Sequence, residues 1–154
     1  MFLQTLQSEK DSALLVKVME LSTICFGSSS WSKEAFDEEI HHPDFRGFGF
    51  YCLEGDEKKL VAVCFLRRYV DEFHVMQIMT HPDYRRKNLA KRLLLESIHY
   101  AQQQSGTKML LEVRASAIAA QALYKACGFD FIAVRSSYYN DGEDAFLYQL
   151  MLDL

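Results

Sequence analysis

The sequence predicts one mixed α/β (α+β) domain, with a mostly antiparallel central sheet of about seven strands flanked by about four helices. Three observations carry this. The apolar pattern of the second quarter of the chain alternates with a period of two, then switches to a helical period near residue 88. Turn residues cut the chain into short elements in the order β-α-α-β-β-β-α-β-α-β-β. The 154 residues are 49% hydrophobic and 25% charged, enough for a packed core and too apolar for a disordered chain.

Residues 2–6 form a short first strand. Residues 11–25 carry Leu14, Leu15, Val18, Leu21 and Cys25 at helical spacing. The break Ser28-Ser29-Ser30-Trp31-Ser32 opens the next helix, with Ser32 as its N-cap and Trp31 and Phe36 at the spacing of a hydrophobic staple. That helix runs to about Ile40, and Pro43 stops it. Residues 47–53 are aromatic and β-prone, Glu54-Gly55-Asp56-Glu57 is a turn, and strands follow over 60–67 and 72–80. Tight links between these three strands predict an antiparallel meander. The loop His81-Pro82-Asp83-Tyr84 leads into a helix over 88–104 with the stripe Leu89, Leu93, Leu94, Ile98 and Ala101, ended by Ser105-Gly106. A strand over 108–114 comes next. Ser116 is placed to cap a helix over 117–127, and Gly128 closes that helix in the left-handed conformation. A strand over 129–135, a polar loop and a last strand over 145–152 complete the chain, with no repeat or domain boundary.

The net charge of −4 argues against a general affinity for nucleic acid or an acidic membrane surface. No apolar run reaches the ~18 residues of a membrane span, and the start, Met1 to Leu6, has no basic leader region. Cys25, Cys52, Cys64 and Cys127 each lie in apolar runs without CxxC or metal-ligand spacing, as expected of reduced thiols in a cytoplasmic protein that holds no metal. His41-His42 with Asp44 reads as a solvated loop and His74 as structural.

Against this acidic background, Arg85, Arg86, Lys87, Lys91 and Arg92 cluster where a strand-to-helix turn begins a helix. The first N–H groups of a helix have no intrahelical partner and sit at the positive end of its dipole, so such a turn is built to take an anion. Asn88 tolerates the left-handed region and Ala90 is small, which lets the backbone approach a ligand. Equally, a basic helix start is often only a wet surface.

The segment Arg85-Arg86-Lys87-Asn88-Leu89-Ala90 resembles the Q/R-x-x-G-x-G/A pattern of the GNAT acetyltransferases, with Asn88 at the first glycine and Ala90 at the second. L-E-V-R-A-S (111–116), A-L-Y (122–124), C-G-F (127–129) and S-Y-Y…E-D-A (137–145) follow in the family's order. Together they are similar to the bacterial branch that acetylates the N-terminal alanine of a ribosomal protein. The resemblance covers residues 60–152 well and the first 55 only in layout. It implies acetyl-CoA as co-substrate, with the backbone of Ile78, Met79 and Thr80 pairing with the pantetheine arm. The pyrophosphate would then sit on the amides from Arg85 through Lys91, Leu89 included. Ala117 stands where the family has an asparagine that contacts the arm.

Amide formation from a thioester needs a base for the amine and an acid for the leaving thiolate. An α-amino group with a pKa near ~8 asks little of that base. Glu112 ends an apolar strand on the face of Leu110. By itself it reads as an exposed or ion-paired carboxylate; the resemblance makes it the base. Tyr124 by itself is a packed helical aromatic with Ala120 and Cys127; the resemblance makes it the acid. Tyr138 and Tyr139, with Glu143 and Asp144 nearby, lie where the family's acceptor groove runs, or form an aromatic turn. Trp31 is the groove's other wall, or only the staple. Cys127 at a helix end reads as a packed thiol, which favours direct attack in a ternary complex over an acetyl-cysteine route.

The leading expectation is therefore an acetyl-CoA-dependent transferase acting on a protein N-terminus, as a monomer or weak dimer. The alternatives are a transferase acting on a lysine or a small amine (polyamine, antibiotic or amino acid) and a non-catalytic acyl-CoA-binding module.

Overall fold

The computed structural model describes residues 1–6 and 13–152. Its elements are β1 (Phe2–Leu6), α1 (Ala13–Phe26), α2 (Lys33–Ile40), β2 (Phe45–Glu54), β3 (Glu57–Tyr69), β4 (Glu72–Thr80), α3 (Leu89–Gln103), β5 (Lys108–Arg114), α4 (Ile118–Ala126), β6 (Asp130–Arg135) and β7 (Ala145–Met151). The element order is the expected one; the first two positions of the predicted helix over 11–25 lie outside the described residues. The seven strands form one sheet in the order β1-β2-β3-β4-β5-β7-β6. It is mostly antiparallel, with β4 and β5 parallel. Short 3₁₀ turns at Gly27–Ser29 and Pro82–Tyr84 complete the list. The residues group into two compact units, Met1–Arg67 with Met76–Ser97, and Arg68–Val75 with Ile98–Leu154.

In the first unit β1 pairs antiparallel with β2 from Phe2↔Tyr51 to Leu6↔Gly47, and β2 with β3 from Phe45↔Arg67 to Glu54↔Glu57. Leu15, Val18 and Leu21 of α1 and Phe36 and Ile40 of α2 join Leu6, Phe45, Leu60, Val63, Phe65 and Met79 in one core. The entry to α2 is built as its residues dictate. The Ser32 side chain accepts from the Ala35 N–H at 3.1 Å, and the Trp31 and Phe36 rings lie 5.2 Å apart, closing the staple. Glu39 is buried, and Arg67 reaches it with Nε 3.2 Å from Oε1 and Nη2 against Oε2. That fork gives both oxygens of a buried carboxylate a charge-assisted partner.

In the second unit β4 and β5 pair in parallel from Glu72↔Lys108 to Val75↔Leu111, and β7 pairs antiparallel with β5 and with β6. Met109, Leu111 and Val113 of β5 are buried and alternate with half-buried Leu110, Glu112 and Arg114. Of two helix ends, that of α3 falls at Ser105-Gly106 as expected, and the start of α4 differs. At the end of α3 it is Ser105 that takes the left-handed conformation (φ 59°), with its N–H bonded to the Gln102 carbonyl and that of Gly106 to the Ala101 carbonyl. Gly106 is glycine for a different reason: a Cβ there would lie 2.8 Å from the Phe73 ring and 2.9 Å from the Ala101 carbonyl oxygen. At the start of α4 the N-cap is Ala117, without a side-chain bond. Ser116, the expected cap, instead donates to the Glu143 carboxylate at 2.8 Å. The far end of α4 is as expected. Gly128 (φ 95°) turns the chain, Phe129 N–H bonds the Tyr124 carbonyl at 3.0 Å, and the two rings pack at 6.1 Å.

Candidate active site

The basic turn lies in the first unit. The 3₁₀ turn Pro82–Tyr84 ends β4's run, and the chain then passes through two left-handed residues, Arg86 (φ 63°) and Asn88 (φ 58°), before α3 begins. Left-handed residues at alternate positions are an ingredient of the backbone nests that take anions. Asn88 is also where the helix starts: its carbonyl accepts the first helical bond, from Arg92 N–H at 3.0 Å. The N–H groups of Leu89, Ala90 and Lys91 therefore have no partner earlier in their own helix. Leu89 is buried and offers only its backbone, whereas Arg85, Arg86, Lys87, Asn88 and Lys91 are exposed. Lys87 Nζ rests 5.5 Å from the Tyr84 ring centre, and Arg92 stacks over Phe50 at 4.7 Å, so Arg92 serves packing more than the turn.

At the end of β4, Met79 is buried in the core, and Ile78 and Thr80 are half-buried. Thr80 carries the two features that sequence reasoning missed. Its Oγ1 is buried without a hydrogen-bond partner among the described residues, and its carbonyl accepts from Cys25 Sγ at 3.3 Å. Burial raises the Cys25 thiol above its ordinary pKa, and the Arg85 guanidinium beside it draws it part of the way back. Cys25, Thr80 and Arg85 are thus neighbours, although 55 residues separate the first two. Trp31 is half-buried and forms the staple on Phe36.

The carboxylate lies in the second unit. Glu112 sits opposite Leu147 of β7, and its Oε1 lies 3.4 Å from Nε of Arg135 on β6. Arg135 also stands over the Tyr138 ring at 5.8 Å, and Tyr138 packs edge-on against Tyr139 at 5.1 Å. Burial first, then the Glu112 carboxylate, holds the Tyr138 phenol above its ordinary pKa, with Arg135 opposing. Burial likewise pushes Tyr139 up to about 12 against the pull of Arg114, whose guanidinium lies 4.0 Å from its ring centre. Glu112, the expected base, and Tyr138, an expected acceptor residue, thus share one cluster through Arg135. Its missing member, Arg135, could have been found only by knowing that β7 lies between β5 and β6. Arg114 is clamped by Asp141 at 2.8 Å and Glu143 at 3.6 Å, which occupies the acidic loop from within.

Tyr124 is buried among Phe129 and Tyr148, with ring centres 6.1 and 6.4 Å away. Close by, the Tyr148 hydroxyl donates to Gln121 at 3.3 Å, and Gln121 donates to the carbonyls of Arg114 and Ala115 at the end of β5. The first turn of α4 is thereby tied to the strand that carries Glu112. His41 bonds Asp37, and His42 Nδ1 accepts from Asp44 N–H, as a solvated loop requires. Among the described residues no helix is long and apolar enough to cross a membrane.

The profile of the acetyltransferase (GNAT) family matches residues 15–129, three quarters of the chain. The chain belongs to that family and is an acetyl-CoA-dependent N-acetyltransferase. A ribosomal protein bS18-alanine N-acetyltransferase from Escherichia coli K12 is 35% identical over 99 residues, which cover 62% of this chain and 67% of that protein. The crystal structure of the ribosomal-protein-S18-alanine N-acetyltransferase from Escherichia coli superposes with a TM-score of 0.82 at 27% identity, over 99% of this chain and 96% of that one. Arabidopsis thaliana NAA60, solved with acetyl-CoA, shares the fold at a TM-score of 0.84 and 16% identity, over 98% of each chain.

Proposed function

We propose that the whole chain works as one cytoplasmic domain that acetylates the N-terminal alanine of a ribosomal protein. The observation that carries this is the similarity to enzymes named for that reaction, one of them matched over nearly its full length. Acetyl-CoA supplies an acetyl group activated as a thioester. The residues present fit it: the nest at Arg86–Asn88 and the free amides of Leu89, Ala90 and Lys91 suit a pyrophosphate, with Arg85, Arg86, Lys87 and Lys91 adding charge. The unsatisfied Thr80 Oγ1, with Ile78 and Met79 before it, suits an extended polar arm. Glu112 accepts the proton of the attacking amine at its carboxylate, directly or through a water. Tyr124 gives the phenolic proton to the departing sulfur, and transfer is direct. Tyr138, on the carboxylate cluster, and Trp31 border the acceptor.

The test is a thiol-release assay with acetyl-CoA and basic peptides that differ only at their first residue, with free lysine and a polyamine as controls. Alanine-initiated peptides should turn over fastest. Preferred turnover of lysine or the polyamine would replace this acceptor with a small amine or side chain.

A further inference from the structure

Strand β6 ends the sheet order, and it is unusually apolar for an edge. Phe131, Ile132 and Val134 are 48%, 45% and 49% exposed. Long apolar edges are a liability unless something covers them. The strand reads Asp130-Phe131-Ile132-Ala133-Val134-Arg135, with an acid at one end and a base at the other. Its ladder with β7 skips one residue: Asp130↔Gln149, Phe131↔Tyr148, Ala133↔Leu147, Val134↔Phe146, Arg135↔Ala145. Ile132 is therefore a bulge, and β6 fills five ladder positions, the third being Ala133.

The bulge decides which residues share a face. In a regular strand Asp130 and Arg135, an odd number of residues apart, would point to opposite sides. With Ile132 bulged out, Asp130, Ala133 and Arg135 lie on one face, that of Leu147 and Gln149, and Phe131 and Val134 on the other. The Phe131 ring accordingly meets Phe146 at 5.3 Å and Tyr148 at 5.9 Å, and Arg135 reaches Glu112.

We infer that this edge pairs with the same edge of a second copy, antiparallel about a two-fold axis through Ala133. Directly opposite residues of an antiparallel pair share a face, and a two-fold interface uses the same patch twice. Centred on Ala133, Asp130 stands opposite the partner's Arg135, Phe131 opposite the partner's Val134, and Ala133 opposite the partner's Ala133. Both charge pairs are of opposite sign, both apolar pairs match, and the smallest side chain sits at the axis, where a residue faces its own copy. An edge bulge ordinarily keeps other strands away; here the two bulges fall symmetrically on either side of the axis, and without them the charged ends could not meet on one face. Arg135 then serves two carboxylates, Glu112 of its own chain and Asp130 of the partner subunit.

Sedimentation of the full chain across a concentration series, with three variants, tests this. Wild type should show a concentration-dependent dimer. D130R, an exposed substitution, should raise the dimer dissociation constant about tenfold or more by placing like charges opposite each other twice. The double variant D130R/R135D should restore it by exchanging the charges. Under mild oxidation A133C should form a disulfide-linked dimer, because facing residues lie ~4.5–5.5 Å apart, within the span of a disulfide. V134C, off the axis, should not. A wild type that remains monomeric at every concentration, a dimer indifferent to D130R, failed rescue by the charge exchange, or cross-linking of A133C no faster than of V134C would each overturn the pairing.

Discussion

At Glu112 two neighbours compete to define one side chain. Arg135 lies 3.4 Å from it, and Tyr138 feels its charge. A strand-end carboxylate bridged to an arginine is an ordinary surface pair, and such pairs contribute little to stability. As the proposed base its value is chemical, with the Tyr138 phenol in the same cluster. Glu112→Gln keeps the shape and removes the base. Turnover should fall roughly 10²-fold or more, the size of a lost general base, while acetyl-CoA binding by calorimetry stays unchanged. Tyr124→Phe should likewise slow transfer more than it weakens acetyl-CoA. Unchanged turnover in either variant removes that residue from its role. The sequence alone reads Glu112 as an exposed or ion-paired carboxylate, which its bridge to Arg135 matches, and only the family resemblance singles it and Tyr138 out for the site. Arg135 was not readable, because nothing local in the chain says that β6 lies beyond β7.

The elements follow the sequence wherever the decisive interaction is local. Ser32 caps α2, and Trp31 staples it to Phe36, within a span of six residues. Asn88 takes the left-handed conformation, and of the predicted stripe Leu89, Leu93, Leu94 and Ala101 are buried and Ile98 half-buried. Where a distant group competes, local reasoning loses. Ser116 has cap chemistry, but Glu143, 27 residues away, takes its hydroxyl. Ser105-Gly106 ends α3 as its residues predict, but which of the two is left-handed and why position 106 must be glycine depend on the Phe73 ring, distant in sequence. The bulge at Ile132 leaves no mark in composition. The basic turn tests the element-scale argument. Proline at position 88 cannot adopt φ 58°, since its ring fixes φ near ~−65°. Asn88→Pro should therefore dismantle the nest. Acetyl-CoA at ~100 times its dissociation constant should stabilise the wild type by about 2.7 kcal/mol, read as a rise in Tm. At the same concentration Asn88→Pro should show a much smaller rise. An equal rise would place the pyrophosphate elsewhere.

On the scale of the whole molecule, the interior sets a pH limit on stability through a group that takes no part in the chemistry. Cys64 on β3 is fully buried among Val61, Ala62, Val63 and Phe65. Burial pushes its thiol up to about 12 from 9.0, with Ser97 Oγ, 3.4 Å away, opposing weakly. The folded chain therefore holds this proton where the unfolded chain releases it. The resulting stability is complete below pH 9 and drains away as pH rises toward 12. One unit above the unfolded value, at pH 10, the loss is on the order of 1 kcal/mol. For a chain of this size that lowers Tm by a few degrees, about 2–4 °C. Cys64→Ala adds the fixed cost of a small cavity at every pH but removes the titration. Melting curves from pH 7 to pH 10 should fall more steeply for wild type than for Cys64→Ala by about that amount, with the variant starting lower and losing less. Parallel slopes would mean that the thiol ionises as easily in the folded core as in water, and that the packing around β3 admits solvent that its zero exposure excludes.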